Sequence, residues 1–500
     1  MLLAGLDIGT TGCKISAFNA GGEFLGRVYR DYPISRTASE HEVHVLQIWK
    51  SVQEVLRAAS TKWSNIGSIG VTSFGETFVL LDKDDKPLDN SMLYTDSRGA
   101  EECEWLASKV GNNTISRITG LNPHPMFSIS KMMWTKKHKP DVWHSVKRIC
   151  LIKDYIVYLL TGKAQIDYSL ASRTMAFNIK KLNWSDEILS ASGIDKSLLS
   201  SPVPIGTCAG VVKPNIAESM GLEPGTLIVS SGHDQVAAAV GSGVFDEDIA
   251  VDSAGTVECI TPVFTEVSNF DCMTRDGYSM VPYVEAGKYV CYAFLFTGGA
   301  VVNWFLENLA GYADLQAKEQ GKSIYAYFEE YTSQTLPTGL LVLPHFAGAA
   351  TPHMDNNAKG AVVGLTLSTT LADMYNAIME GVCYEMRLNI EHLNEAGIKF
   401  KKLRATGGGA NNQVWMQMKA DILNIPITSL HSVEAGGTGA AMMAGVAAGL
   451  FKDLRMAAKI MVTENETYFP RKDIHDSYNV FYQKYKNLYV SLKPFFAFSL

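Results

Sequence analysis

The sequence predicts an α/β protein built from two domains. Three observations predict it. The chain has 500 residues, more than one hydrophobic core usually organises. Its first hundred residues alternate strands with an amphipathic helix, the order of a layered α/β domain. A pattern of apolar strand, Asp, Gly-Thr turn and second strand occurs twice, near residue 7 and again near residue 252, about half the chain later. That repeat reads as duplication of one domain, with units at 1–245 and 246–500.

Residues 2–7 are predicted to be a strand, and Gly9-Thr10-Thr11-Gly12 carries turn chemistry. Lys14 to Asn19 alternates as a second strand. Ala20-Gly21-Gly22 is a hairpin turn, and Glu23 to Arg30 a third strand. Val45, Ile48, Trp49, Val52, Val55, Leu56 and Ala59 fall at helix spacing. Ile66–Ser73 and Thr77–Asp82 follow as strands. Glu101–Val110 and Ile149–Thr161 are predicted as helices, and three prolines (202, 204 and 214) punctuate a connector. Leu227-Ile228-Val229 is a buried strand running into Ser230-Ser231-Gly232-His233-Asp234-Gln235, with a helix behind it. The second half predicts strands at 249–260, interrupted by Ala254-Gly255-Thr256, and at Tyr289–Thr297. A Gly298-Gly299 turn leads into a helix over Ala300–Leu309. Gly339–Pro344 is a strand, and a long helix runs from about Thr370 to Ala396. Leu403–Thr406 is a strand ending in Gly407-Gly408-Gly409, with a helix over Asn412–Leu423. Gly436-Gly437-Thr438-Gly439 is expected to lead into the last core helix. Tyr478, Phe481, Tyr482 and Tyr485 form one face of a docking helix.

Composition narrows the function. With 47% hydrophobic and 19% charged residues the chain is an ordinary globular protein. A net charge of −7 and a pI of about 5.9 argue against nucleic-acid binding through phosphates. The eight cysteines are scattered without a CxxC pair, which suggests neither a zinc site nor a disulfide framework and fits a reducing cytoplasm. The first six residues reach Asp7 too early for a signal peptide. No apolar run is long enough to span a bilayer.

Four Gly-rich turns follow predicted strands, at 9–12, 254–256, 298–299 and 407–409. Each lets backbone N–H groups approach an anion. Thr10, Thr11 and Thr256 add hydroxyls, and Lys14 a positive charge. Asp7 and Asp252 precede two of the turns, where a carboxylate suits a hydrated Mg²⁺. With neither a P-loop nor a well-placed GxGxxG present, this is a polyphosphate site of another design. Phosphoryl transfer to an alcohol then needs a proton acceptor. Asp234 is the candidate base, Gln235 a candidate for a substrate hydroxyl. On its own residues Asp234 reads first as a helix cap, the commoner role for Asp at a strand-to-helix turn.

At these residues the chain resembles the FGGY family of carbohydrate kinases. Asp7-Ile8-Gly9-Thr10-Thr11 is similar to its first phosphate turn and Ala254-Gly255-Thr256 to its second. Gly232-His233-Asp234-Gln235 resembles the segment with the catalytic Asp. Gly408-Gly409-Ala410-Asn411-Asn412, before Trp415, Gln417 and Ala420-Asp421, resembles the adenosine segment. The long signature Gly360-x-Val362-x-Gly364-Leu365, then Asp373-Met374 and Ala377-Ile378-Met379-Glu380, is matched. In the earlier signature Met126, Ser128, Lys131 and Trp134 fit, while Thr135 replaces an apolar residue.

The resemblance implies two actin-like (ribonuclease H-like) domains with a nucleotide cleft between them. It implies an ATP- and Mg²⁺-dependent kinase of a small sugar, polyol or sugar acid, closest in plan to xylulokinase and plausible as a homodimer. Asp234 takes the role of general base. Glu76, Thr77, Tyr94, Asp96, Met126 and Gln235 take the substrate. Gly9, Thr10, Thr11, Lys14, Gly255, Thr256, Gly299, Gly408, Gly409 and Asn412 take the nucleotide, and Asp7 the metal. The substrate pocket departs from each familiar class. Ser73-Phe74-Gly75-Glu76-Thr77 lacks the xylulokinase His, and Glu76-Thr77 resembles glycerol kinases but with Gly75 in place of their Arg. His124-Pro125-Met126 resembles gluconokinases. Gly348-Ala349-Ala350-Thr351-Pro352 replaces a charged family segment. Asp96 and Arg98 have the alternative of pairing with each other, and His124 and His345 read as structural. A different class, a regulatory nucleotide-binding protein on the same fold, would not need Asp234.

Overall fold

The computed structural model describes residues 1–37, 40–332, 337–431 and 434–496. The chain divides into two compact units. Unit 1 holds Met1–Phe245, Ser279–Val290 and Glu434–Val462, and unit 2 holds Asp246–Tyr278, Cys291–Val433 and Thr463–Leu500. Beyond the division at residue 245, two later segments thus return to unit 1.

The sheet of unit 1 has six strands in the order Thr207–Val211, Leu227–His233, Ile66–Ser73, Leu2–Ile8, Gly12–Phe18, Phe24–Asp31. Ile66–Ser73 runs parallel to both Leu2–Ile8 and Leu227–His233, and the outer pairs are antiparallel. In unit 2, Ile249–Ala254 lies between antiparallel Glu258–Phe264 and parallel Lys402–Thr406. Ala293–Leu295, Ile427–Leu430 and Glu464–Tyr468 extend the sheet. Around Leu2–Ile8 and around Ile249–Ala254 the strands named share one plan, with two antiparallel strands on one side and two parallel plus one antiparallel strand on the other. The repeated Asp and Gly-Thr pattern marks the same hairpin in both sheets, which supports duplication of one domain.

The helix predicted from period 3.6 near the start is Val45–Lys62, and it buries Val45, Ile48, Val52, Val55, Leu56 and Ala59 on the sheet. The long helix Leu371–Glu395 begins with a capping box made by Thr370 and Asp373. Tyr478, Tyr482 and Tyr485 of the Lys472–Tyr485 helix are buried, with their rings around Tyr384.

Three expectations need correction. Arg148–Leu151 is a strand paired with Phe78–Leu81, and the helix starts only at Ile152. A short apolar run reads alike in either state, and here an unfilled strand edge decides. The strand expected over Tyr289–Thr297 is two strands. Tyr289–Val290 pairs with Val281–Pro282, and Ala293–Leu295 with Glu258–Phe264. The glycines 436, 437 and 439 lie inside the helix Ala435–Ala447 rather than before it. Packing explains them. A Cβ on Gly439 would stand 1.9 Å from the Ala237 carbonyl oxygen, and one on Gly5 of the central strand 1.9 Å from that of Gly437. The helix thus rests on the strands and on the Asp234–Gly241 helix at backbone contact, which offsets the usual cost of glycine in a helix.

Candidate active site

In unit 1 the chemistry gathers at the C-terminal ends of the parallel strands. Asp7 sits opposite Lys14 in the first hairpin. Lys14 Nζ lies 3.3 Å from Asp7 Oδ2 and 2.9 Å from Glu434 Oε2, and Arg27 also pairs with Glu434. The backbone at Gly436 closes over this group, since a Cβ there would be 3.1 Å from Asp7 Oδ2. The Gly9–Gly12 turn is closed by Gly9 N donating to Gly12 O at 2.9 Å, and the Tyr32 hydroxyl donates to Gly9 O. The Tyr94 phenol lies beside the Thr10 side chain, which brings a residue expected at the substrate near one expected at phosphate.

Asp234 follows the Leu227–His233 strand and is the first residue of the helix Asp234–Gly241, whose N-cap is His233. It is therefore not the cap. Its Oδ1 accepts from Gln235 N at 2.6 Å and lies 3.3 Å from His233 Nε2. Its side chain is 31% exposed, open enough for a hydroxyl to reach. Desolvation by the surrounding protein, with the like charges of Asp7 and Glu76, pushes its carboxyl pKa up to about 7. The His233 imidazole is held neutral by burial and by Arg173. The side-chain oxygen of Gln235 is buried and has no hydrogen-bond partner among the described residues, and neither has the hydroxyl of Thr77.

Glu76 is buried with a backbone φ of 63°, in the left-handed region that non-glycine residues seldom adopt. Its carboxylate forms an ion pair with Arg173, and Arg173 Nη1 also donates to Ser279 Oγ at 3.2 Å. Sequence reading missed Arg173, because no local motif marks a residue whose partners lie about a hundred positions away on either side. It also explains Gly75. A Cβ there would meet Arg173 Cγ at 3.2 Å and His233 Cδ2 at 3.1 Å. Met126 N donates to His124 Nδ1 at 3.1 Å, and Lys131 Nζ donates to Pro125 O at 2.5 Å. Asp96 is filled from within the chain. Its two oxygens accept from His41 N and from the backbone and guanidinium of Arg98 at 2.6–3.0 Å. The Asp96–Arg98 pairing left open by the sequence is thus formed.

Unit 2 holds a cavity of about 610 Å³. Gly255, Thr256, Gly299, Gly408, Gly409 and Asn412 all line it, together with Tyr375 and Trp415. Gly298 N and Ala300 N donate to Thr256 O, and Gly299 N donates to Gly255 O, so the second Gly-Thr turn and the start of the Gly299–Asn308 helix are one unit. Gly407 has φ 91°, and a Cβ there would meet Ala254 O at 2.6 Å. A Cβ on Gly408 meets nothing within 4 Å, so this glycine leaves space rather than relieving a clash. Asn412 caps the helix Gln413–Leu423 by accepting from Trp415 N at 2.8 Å.

Asp252 does not share the setting of Asp7. It is fully buried, and Lys419 Nζ lies 2.7 Å both from Asp252 Oδ2 and from Glu258 Oε1. The second half of the repeat keeps the Asp but seals it with a lysine, which removes it as a candidate for a hydrated cation.

Residues 2–241 match the N-terminal domain of the FGGY family of carbohydrate kinases, and residues 258–448 match its C-terminal domain. The chain belongs to the FGGY family. It is a carbohydrate kinase of xylulokinase-like plan, a phosphotransferase acting on small sugars and their relatives. A xylulose kinase of Bacillus subtilis is 27% identical over 98% of this chain and 97% of its own. A glycerol kinase of Streptococcus pyogenes is 31% identical over 92% of this chain and 91% of its own. The crystal structure of a gluconate kinase from Lactobacillus acidophilus superimposes with a TM-score of 0.89 at 26% identity, covering 98% of both chains. Among the described residues of this FGGY chain no helix is long and apolar enough to cross a membrane.

Proposed function

We propose that this FGGY kinase uses Asp234 as general base for transfer of a phosphoryl group from ATP to a hydroxyl of a xylulose-like ketose, with a polyol or aldonic acid as the alternative acceptor. The observation that carries this is a juxtaposition at one helix start. A solvent-reachable carboxylate with a pKa near 7 stands beside the buried, unpartnered oxygen of Gln235. A general base works best when its pKa lies near the working pH. An unmade buried hydrogen bond costs free energy that a substrate hydroxyl recovers. The reacting hydroxyl donates to Asp234, which takes its proton, and a neighbouring hydroxyl donates to Gln235. Thr77 offers a further hydroxyl. Glu76, Tyr94 and Met126 bound the pocket, with Arg173 fixing Glu76. Asp96 acts one step back, by holding Arg98.

The nucleotide belongs to the unit 2 cavity. Its phosphates suit the Thr256 side chain and the side-chain-free backbone at Gly255 and Gly299, since the N–H groups of Gly298, Gly299 and Ala300 already donate to Thr256 O and Gly255 O. Its base suits the space left at Gly408 and Gly409, with Asn412 at the rim. In unit 1 the Gly9-Thr10-Thr11 turn and Lys14 offer donors for the phosphoryl group. Burial raises the Asp7 pKa although Lys14 is adjacent, so this carboxylate gains from a further cation, and a hydrated Mg²⁺ fits it. When bound, Mg²⁺ neutralises charge on the transferring group. Eight free cysteines support a reducing, cytoplasmic setting.

The pH profile tests the assignment. A base must be deprotonated to act, so kcat/KM rises with pH through about 7 in the wild type. A profile that stays flat there removes Asp234 from the role. The nucleotide site has its own test. Gly408→Leu fills open space without a clash, so KM for ATP rises roughly tenfold or more, a loss of about 1.4 kcal/mol, while the melting temperature is unchanged. An unchanged KM places the nucleotide elsewhere.

A further inference from the structure

Unit 2 contains a second cluster of chemically active side chains. His345 and His353 lie in the segment after the Leu341–Leu343 strand, and Glu385 lies on the Leu371–Glu395 helix. One ligand atom from each lies within 4.8 Å of the others. His345 Nε2 and His353 Nε2 stand 3.8 and 3.9 Å from the same oxygen, Glu385 Oε1. Among the described residues none of these three atoms has a hydrogen-bond partner, although each is shielded from solvent. His345 and Glu385 are each 1% exposed. Buried polar groups are rarely left unpaired, and an unplaced ion is one standing explanation.

The groups around the cluster behave as supports. Tyr485 donates its hydroxyl to the other Glu385 oxygen, Oε2, at 2.5 Å, leaving Oε1 directed at the imidazoles. The Tyr489 ring stacks on His353 at 3.8 Å and 16° and donates its hydroxyl to Asp355 at 2.7 Å. Hydrogen bonds and stacking that fix ligand orientation are what a metal site needs outside its ligands.

We propose that His345, His353 and Glu385 form a binding site for a divalent transition cation of the zinc type, separate from the Mg²⁺ expected with the nucleotide. Two imidazoles and one carboxylate are a known zinc donor set with a fourth position left for water. Donors around a tetrahedral zinc stand about 3.3–3.5 Å apart, given bonds of about 2.0–2.2 Å. The Glu385 contacts need to close by only about half an ångström to reach that spacing. His353 is 19% exposed at its side chain, the most of the three, and a water would take the fourth position. The cation would join the 344–358 segment to the long helix and, through Tyr485 and Tyr489, to the C-terminal helices. That is a structural clasp, distant in role from the phosphoryl transfer.

The test uses the full-length protein without nucleotide or Mg²⁺. After chelation and dialysis, Zn²⁺ is titrated and bound metal is counted by elemental analysis. Co²⁺ is titrated in parallel and followed by its visible absorption. One Zn²⁺ per chain, a raised melting temperature and the intense absorption of four-coordinate Co²⁺ are expected. His353→Gln, at the least buried ligand, and Glu385→Gln, which keeps the side-chain shape, should each cut Zn²⁺ affinity at least tenfold and lose the Co²⁺ spectrum. Asp7→Asn should leave both unchanged. Retained circular dichroism in the two ligand variants excludes misfolding as the cause. Less than a tenth of an equivalent of Zn²⁺ bound by the wild type overturns the proposal. So does the same stoichiometry and spectrum in the His353→Gln and Glu385→Gln proteins.

Discussion

Asp234→Asn is expected to lower kcat by about 10²–10⁴-fold, the range supplied by a positioned general base, with KM for ATP little changed. The amide keeps the shape of the carboxylate and the contact with Gln235 N, so the Asp234–Gly241 helix and its packing persist. What it loses is the proton acceptor. The rise of kcat/KM through about pH 7 should vanish with it, since the group responsible is the carboxyl raised by burial, Asp7 and Glu76. Steady-state kinetics across pH, with ATP affinity measured separately, read both effects. A fall in ATP affinity equal to the loss of rate would instead mean that Asp234 serves the nucleotide.

Lys419→Met is expected to be the most damaging single change to stability, at about 3–5 kcal/mol. Lys419 sits fully buried between Asp252 and Glu258, bridging two strands of the unit 2 sheet and the Gln413–Leu423 helix. Removing the cation leaves two buried carboxylates facing each other without compensation. Met fills the volume, so the loss is electrostatic. Burial already raises the Glu258 pKa. A carboxyl raised in the fold favours folding below its unfolded pKa and loses that contribution as pH rises through its folded value. The deficit of the variant should therefore shrink towards acid pH and widen towards neutral. The unfolding transition assigned to unit 2 should drop by roughly 10 °C at neutral pH. A drop independent of pH would attribute the effect to packing. Because Trp415 lies on the same helix and Asn412 caps it, the variant should also weaken ATP binding.

The parts legible in the sequence are those set by local chemistry. Gly255, Thr256, Gly299, Gly408 and Gly409 came from three of the four turns and Asn412 from the segment behind the last of them, and all six line one cavity. A turn needs particular residues at particular positions, so it leaves a mark that one sequence carries. The duplicated strand, Asp and Gly-Thr pattern likewise marked the same hairpin in both sheets. What stayed hidden depends on partners far away in the chain. Arg173 reaches Glu76 and Ser279 from opposite directions. Glu434 meets Lys14 and Arg27 across most of the chain, so Lys14 has two carboxylates around it that its own neighbourhood does not announce. Asp252 looked equivalent to Asp7 until Lys419 was seen beside it. Glycines 436, 437 and 439 looked like a turn because their real cause, backbone contact with Gly5 and with the Asp234–Gly241 helix, lies outside their own segment.

The central claim is that a sugar hydroxyl reaches Asp234 and leaves with the phosphoryl group of ATP. The most direct measurement is product formation with purified protein, ATP and Mg²⁺ against a panel of ketoses, polyols and aldonic acids, each run beside ATP alone. The predicted result is an acceptor-dependent phosphorylated product from one narrow class, xylulose-like ketoses first, that Asp234→Asn does not form. ATP hydrolysis of equal rate with and without every acceptor, unchanged in Asp234→Asn, would contradict it.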